Sequence, residues 1–190
     1  MSAVAARPTG FELQPRLQGR LVELRPLRAE DIDALYAVAS DPLIWVQHPS
    51  PDRYKENIFR EFFRDSLASG GALIALDCKD GRVIGSSRFH GYDECTSEVE
   101  IGWTFLARSH WGGVYNGEMK QLMLRHAFRF VKRVIFLVGP TNLRSHRAGE
   151  KIGAVCVGSR LDGQRRESLA YQITAATAND ALALKSLSEP

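Results

Sequence analysis

The stretch Ser109-His110-Trp111-Gly112-Gly113-Val114-Tyr115-Asn116-Gly117-Glu118-Met119 decides how this chain is read. It follows an apolar, strand-like run over residues 98–107. It leads into the clearest amphipathic pattern in the chain, a helix from Asn116 to about Phe130. A glycine-rich turn between a strand and a helix N-terminus is physically an anion site. The first N–H groups of a helix have no intrahelical partner, and the helix dipole adds partial positive charge there. Glycines before a helix also make ordinary loops, so the turn needs support from its surroundings.

Upstream, residues 20–25 alternate as a first strand that Pro26 ends. A helix opens at Arg28-Ala29-Glu30-Asp31, with acid in its first turn, and closes at Asp41-Pro42. Ser50-Pro51-Asp52 reads as the start of a second helix, with Ser50 as N-cap, running to about Ser69. Its stripe of Tyr54, Ile58, Phe59, Phe62, Phe63 and Leu67 reads as core. Three strands follow, over residues 72–78, 82–90 and 98–107, and Asp80-Gly81 is a hairpin signal between the first two. Downstream of the opening stretch, the helical surface of Met119, Leu122, Met123, Leu124, Ala127, Phe128, Phe130 and Val131 is broad enough to mean burial on more than one side. Residues 133–138 form a β-branched run with the composition of a central strand. A short helix over 143–152 and strands over 154–160 and 167–173 complete the pattern, with Asp162-Gly163 as the last hairpin turn. Residues 177–187 read as a short terminal helix.

The chain is thus expected to be α+β. Its sheet is mixed but mostly antiparallel, has about seven strands with helices on both faces, and contains one parallel crossover from 98–107 to 133–138 through the central helix. Its 190 residues fit a single domain over 19–190, preceded by a loose leader over 1–18. A formal charge of +3 suits an anionic small molecule and gives no basic stripe for nucleic acid. No run of about 20 apolar residues would span a membrane, and residues 1–8 lack a signal-peptide core, so a cytoplasmic protein is expected. The three cysteines do not pair by spacing. Cys78 and Cys156 lie in apolar runs and read as buried, while Cys95 reads as surface. His48, His90 and His110 have no metal-ligand spacing, so no metal is expected.

Three local patterns carry a family resemblance. One is Glu100-Ile101-Gly102-Trp103-Thr104-Phe105 followed by Ser109-His110-Trp111-Gly112-Gly113. The second is Asn142-Leu143-Arg144-Ser145 through Glu150-Lys151-Ile152-Gly153. The third is Leu24-Arg25-Pro26-Leu27 with Asp31 downstream. Together they resemble the GNAT superfamily of N-acetyltransferases, in the branch that includes the ribosomal-protein N-terminal acetyltransferases. Two positions depart from that pattern. Val114 stands where the family usually has its second loop glycine, and Gly149 stands where many members carry a tyrosine that protonates the departing thiolate.

The resemblance implies an acyltransferase that moves an acetyl group from acetyl-CoA directly to a primary amine, on a small molecule or a protein N-terminus. It implies a central strand pair that splays to admit the pantetheine arm, with backbone contacts from Trp103, Thr104, Phe105 and Leu106. The turn of Gly112, Gly113, Val114, Tyr115, Asn116 and Gly117 would hold the pyrophosphate. Asn142 would contact the pantetheine amides and Ser145 the sulfur. Arg147, with Arg144, would meet the 3′-phosphate; a solvated helix face is the other reading of both. Asn142 also reads as a plain helix N-cap, and Ser145 as a surface hydroxyl. Glu100 is the best candidate base, acting through water. A sheet ion pair is an equally good reading, and Glu98 shares its face. His48, Arg88 and His90 are candidates for the amine pocket, while His110 reads as packing at the loop. The departures leave a second reading open, a catalytically silent CoA-binding or regulatory module on the same fold. A monomer or homodimer fits either reading.

Overall fold

The structure, a computed structural model, describes residues 10–162 and 165–178. Eight strands form one sheet: β1 (Leu17–Gln18), β2 (Val22–Pro26), β3 (Ala72–Asp77), β4 (Val83–Asp93), β5 (Glu98–Leu106), β6 (Arg133–Val138), β7 (Val155–Leu161) and β8 (Glu167–Thr174). Their spatial order is β1-β2-β3-β4-β5-β6-β8-β7. Every neighbouring pair is antiparallel except β5 and β6. That parallel pair is joined by α3 (Val114–Ala127), as a crossover requires.

The helices divide the core in two. On one face α3 buries Met119, Met123 and Ala127 against Leu24, Phe89, Val99, Ile101 and Val134. On the other, α1 (Ile32–Ala39) and α2 (Glu56–Ala68) bury Leu35, Phe59, Phe62 and Phe63 against Ile74 and Phe105. The period-two alternation of the strands feeds both faces. α4 (Leu143–Glu150) follows β6.

Several expectations are corrected. Residues 10–18, expected within a loose leader, are packed: Phe11 meets Phe89, Tyr92, His126 and Phe130, and β1 adds an eighth strand. Residues 1–9 lie outside the described residues, as do Gly163 of the last expected hairpin turn and residues 179–187 of the expected terminal helix. The helix expected from Ser50 is split. Pro51–Tyr54 forms a 3-10 turn, Lys55 is extended (φ −73°, ψ 132°), and α2 starts at Glu56. The break lets Arg53 turn inward, its guanidinium 4.2 Å from the Phe62 ring centre and 5.3 Å from that of Trp45. Cys78 and Cys156 are exposed, as is Cys95. Cys78 lies just past the end of β3, and β7 is an edge strand exposed along its length, so neighbouring apolar residues there do not signify burial.

Strand β5 carries a bulge. Ser86 pairs with Phe105 and Arg88 with Gly102, so two residues, Trp103 and Thr104, oppose Ser87 alone. Trp103 takes φ 51°, an uncommon value for a residue with a side chain. The bulge reverses the alternation. Val99 and Ile101 face α3, whereas Phe105 packs in the α1/α2 core and Leu106 returns to the α3 side.

Thr104 consequently meets α3. Lys120 Nζ donates to its hydroxyl at 2.7 Å and lies 5.1 Å from the Phe136 ring centre. Lys120 is buried, and burial alone lowers its pKa to about 7. The unfolded chain therefore binds more protons than the folded one between about pH 7 and the ordinary lysine range, and stability rises with pH across that window. Lys120→Met is expected to raise Tm by roughly 5 °C at neutral pH, with the gain shrinking toward pH ~10. Thermal melts at the two pH values check this; a gain that does not depend on pH would contradict it.

Candidate active site

The site is organised by the divergence of β5 from β6. They pair only over Glu98–Arg133, Val99–Val134 and Glu100–Ile135. Beyond Glu100, β5 continues to Leu106 and β6 to Val138 without pairing, which leaves the β5 backbone edge of Trp103, Thr104, Phe105 and Leu106 facing a gap. Parallel strands that part in this way offer unpaired N–H and C=O groups to an extended ligand.

At the far end of the gap lies the glycine turn. Gly112 and Gly113 have φ 107° and 110°, values that favour glycine, and Gly113 is the N-cap of α3. No side chain caps this helix. A Cβ built on Gly112, Gly113 or Gly117 would meet nothing within 4 Å. An uncapped, glycine-lined helix N-terminus fits a pyrophosphate. Val114, in the usual glycine place, is the first helical residue and its side chain is exposed, so it does not close the turn. The helix also begins there, with Tyr115 and Asn116 in its first turn, two residues earlier than the sequence suggests. His110 packs at the loop, with Nε2 3.1 Å from Asp77 and its ring against Tyr115.

Across the gap, Asn142 caps α4 by accepting the Ser145 N–H at 3.2 Å, and Ser145 is half-buried in the first turn. Arg147 is exposed. Arg144 stacks 4.1 Å from the Trp111 ring centre, tying the start of α4 to the loop after β5. Where a family tyrosine would stand, a Cβ on Gly149 would lie 3.8 Å from the Tyr171 ring; the Tyr171 hydroxyl meets His146 Nδ1 at 3.0 Å. A Cβ at position 149 would thus make only ordinary van der Waals contact with that ring.

Glu100 lies on the α1/α2 face at the point of divergence, directly across from His90 on β4. Burial, reinforced by Asp162, pushes its carboxyl up to about 7 against the pull of Arg88 and Arg160. Glu98 instead pairs with Arg160 at 2.6 Å and Arg133 at 3.8 Å, as a sheet ion pair would. His90 keeps part of its surface in solvent and stands edge-on to Trp103, and the partial desolvation of its ring, followed by repulsion from Arg88, lowers its pKa. Arg88 stacks 4.4 Å from the Trp103 ring centre. His48 lies against Trp45, and burial followed by repulsion from Arg53 lowers its pKa to about 3. His48, Arg88, His90 and Glu100 thus sit on one face, opposite the α3 side.

Sequence reasoning missed Arg53 and Lys120. The only available signal for Lys120 was the unusual breadth of the apolar surface of α3. For Arg53 it was the aromatic content of the segments on either side.

A strand pair that splays beside an uncapped, glycine-led helix N-terminus gives an acyltransferase what it needs, a gap for an extended donor with an anion site at its end. The comparisons agree. The acetyltransferase (GNAT) domain family model matches residues 21–155, and the chain belongs to that family. A solved structure from T. thermophilus, described as a proposed acetyltransferase, is 27% identical, with TM-score 0.70 over 88% of this chain and 95% of that one. Another structure described in the same terms is 28% identical, with TM-score 0.74 over 88% and 90%. Mycobacterium smegmatis RimJ, solved in complex with CoA-disulfide, shares the fold at 21% identity and TM-score 0.64, over 86% of this chain and 89% of that one. No curated protein sequence matches the chain. No described helix is long and apolar enough to cross a membrane.

Proposed function

We propose that this acetyltransferase moves an acetyl group from acetyl-CoA directly to a primary amine, with Glu100 as general base. The observation that carries the reading is the Glu100 carboxyl, raised to about 7 at the apex of the β5–β6 gap. A group of that pKa is half-deprotonated near neutrality and can take a proton from an ammonium through one water. The free edge of Trp103, Thr104, Phe105 and Leu106 would pair with the pantetheine amides and offer an N–H to the developing oxyanion. The turn over residues 112–117 would bind the pyrophosphate, with Arg147 near the 3′-phosphate. Asn142 and Ser145 would face the thiol end, where the Ser145 hydroxyl can donate to the leaving thiolate. His48, Arg88 and His90 would line the amine pocket. The protein works in this reading without metal, nucleic acid or membrane, as a cytoplasmic monomer or homodimer.

Calorimetry with acetyl-CoA, paired with thiol release across a panel of amines, tests the reading. Binding in the micromolar range with turnover of at least one amine class is expected. Binding without turnover across the panel would favour a silent CoA-binding module, and failure to bind at millimolar cofactor would remove both.

A further inference from the structure

Around Glu100, the α1/α2 face holds more positive charge and more hydrogen-bond donors than the protein itself satisfies. Arg53 is only 6% exposed. It rests on the rings of Phe62 and Trp45, and among the described residues no carboxylate pairs with it; Arg166 and Arg88 repel its charge. Arg166 by contrast is matched by Asp162. Arg88 is also 6% exposed, and its Nε has no hydrogen-bond partner. One of its terminal nitrogens donates to Ser66 Oγ, and Asp65 and Glu100 act on it only from beyond ion-pair distance.

His48 adds a third anomaly. Its Nδ1 accepts the Ser50 N–H at 2.9 Å, which places the single proton of the neutral ring on Nε2. That nitrogen lies 3.2 Å from Arg53 Nη1, itself only a donor. Two donors then face each other. The other tautomer moves the same surplus to the Ser50 N–H. Buried donors without acceptors are costly, and buried guanidinium groups without an anion more so.

We propose that these groups form the specificity site for the amine substrate, which is a small amino acid-type molecule whose carboxylate is held by Arg53, Arg88 and His48 while its amine faces Glu100. The inference rests on the transferase reading above and adds the substrate class. The planar forks of two arginines match a carboxylate in a way a neutral amide does not. A protein N-terminus carries no carboxylate next to its amine and leaves the surplus unanswered.

The test compares the twenty amino acids with their carboxamides as acceptors, following thiol release from acetyl-CoA with the wild-type chain. The best acid is expected to exceed its own amide by roughly 100-fold in kcat/KM, the scale of lost charged hydrogen bonds in a buried site. Arg53→Gln and Arg88→Gln should each collapse that ratio by about tenfold or more through KM, with acetyl-CoA affinity unchanged. An amide or a peptide N-terminus used as well as the acid would overturn the proposal. Should no amine turn over, the transferase reading fails separately. The carboxylate site is then judged by tryptophan fluorescence titration of N-acetyl amino acids against their amides in the presence of CoA. Binding of the acid alone upholds it, and equal or absent binding overturns it.

Discussion

Glu100→Gln is expected to lower kcat by about 100-fold at neutral pH while acetyl-CoA affinity stays within about twofold of wild type. The substitution keeps the size of the side chain and removes only its capacity to accept a proton. The wild-type carboxyl titrates at about 7 because burial, and then Asp162, disfavour its charged form. A base works deprotonated, so kcat/KM should fall as pH drops through about 7, and the variant should lack that acid limb. Retention of the limb in the variant would assign it to another group. Equal loss of turnover and cofactor affinity would return Glu100 to a structural role.

The second large effect concerns stability. Glu118, in the early turns of α3, accepts backbone N–H groups from Arg20 at 3.0 Å, Leu21 at 2.6 Å and Val22 at 2.8 Å. One carboxylate thereby ties the helix that carries the glycine turn to the start of β2. A close approach makes this possible: a Cβ on Gly19 would lie 2.6 Å from Glu118 Oε2. Glu118→Ala leaves three donors without their charged acceptor. Leu21 is half-buried and Val22 fully buried, and the expected loss is about 4 kcal/mol, or about 10 °C in Tm for a chain of this size. Glu118→Gln should fall between, since its amide supplies one acceptor but also brings donors toward donors. Because α3 begins only four residues earlier, at Val114, acetyl-CoA affinity should fall with stability. A Tm shift below about 3 °C for the alanine variant would mean that water replaces the carboxylate at little cost.

Much of the fold was legible in the sequence because its signals are local. The stripe of Phe59, Phe62 and Phe63, the Asp80-Gly81 turn and the β-branched run of β6 each encode an element without help from distant residues. Glu100, too, could be placed from strand pattern and resemblance. What was not legible depends on several segments meeting. Arg53 looks like a surface residue in a helix start; it is buried because Trp45 comes from one segment and Phe62 from another. Cys156 sits in an apolar run, yet β7 lies at the sheet edge. The left-handed conformation of Trp103 has no compositional mark, since neither glycine nor asparagine stands there.

That conformation makes β5 sensitive to residue count as well as residue type. Removing one residue between Gly102 and Phe105 would restore simple alternation and exchange inside for outside in all that follows. Phe105 would leave the α1/α2 core, Leu106 would leave the α3 core, and the turn that begins α3 would arrive out of phase with the helix it starts. No side chain at the apex need change for this to happen. The spacing from the Glu100 carboxylate to the Gly112-Gly113 turn is therefore a ruler between the proton-accepting end of the site and its anion-binding end, and it tolerates substitution far better than insertion or deletion.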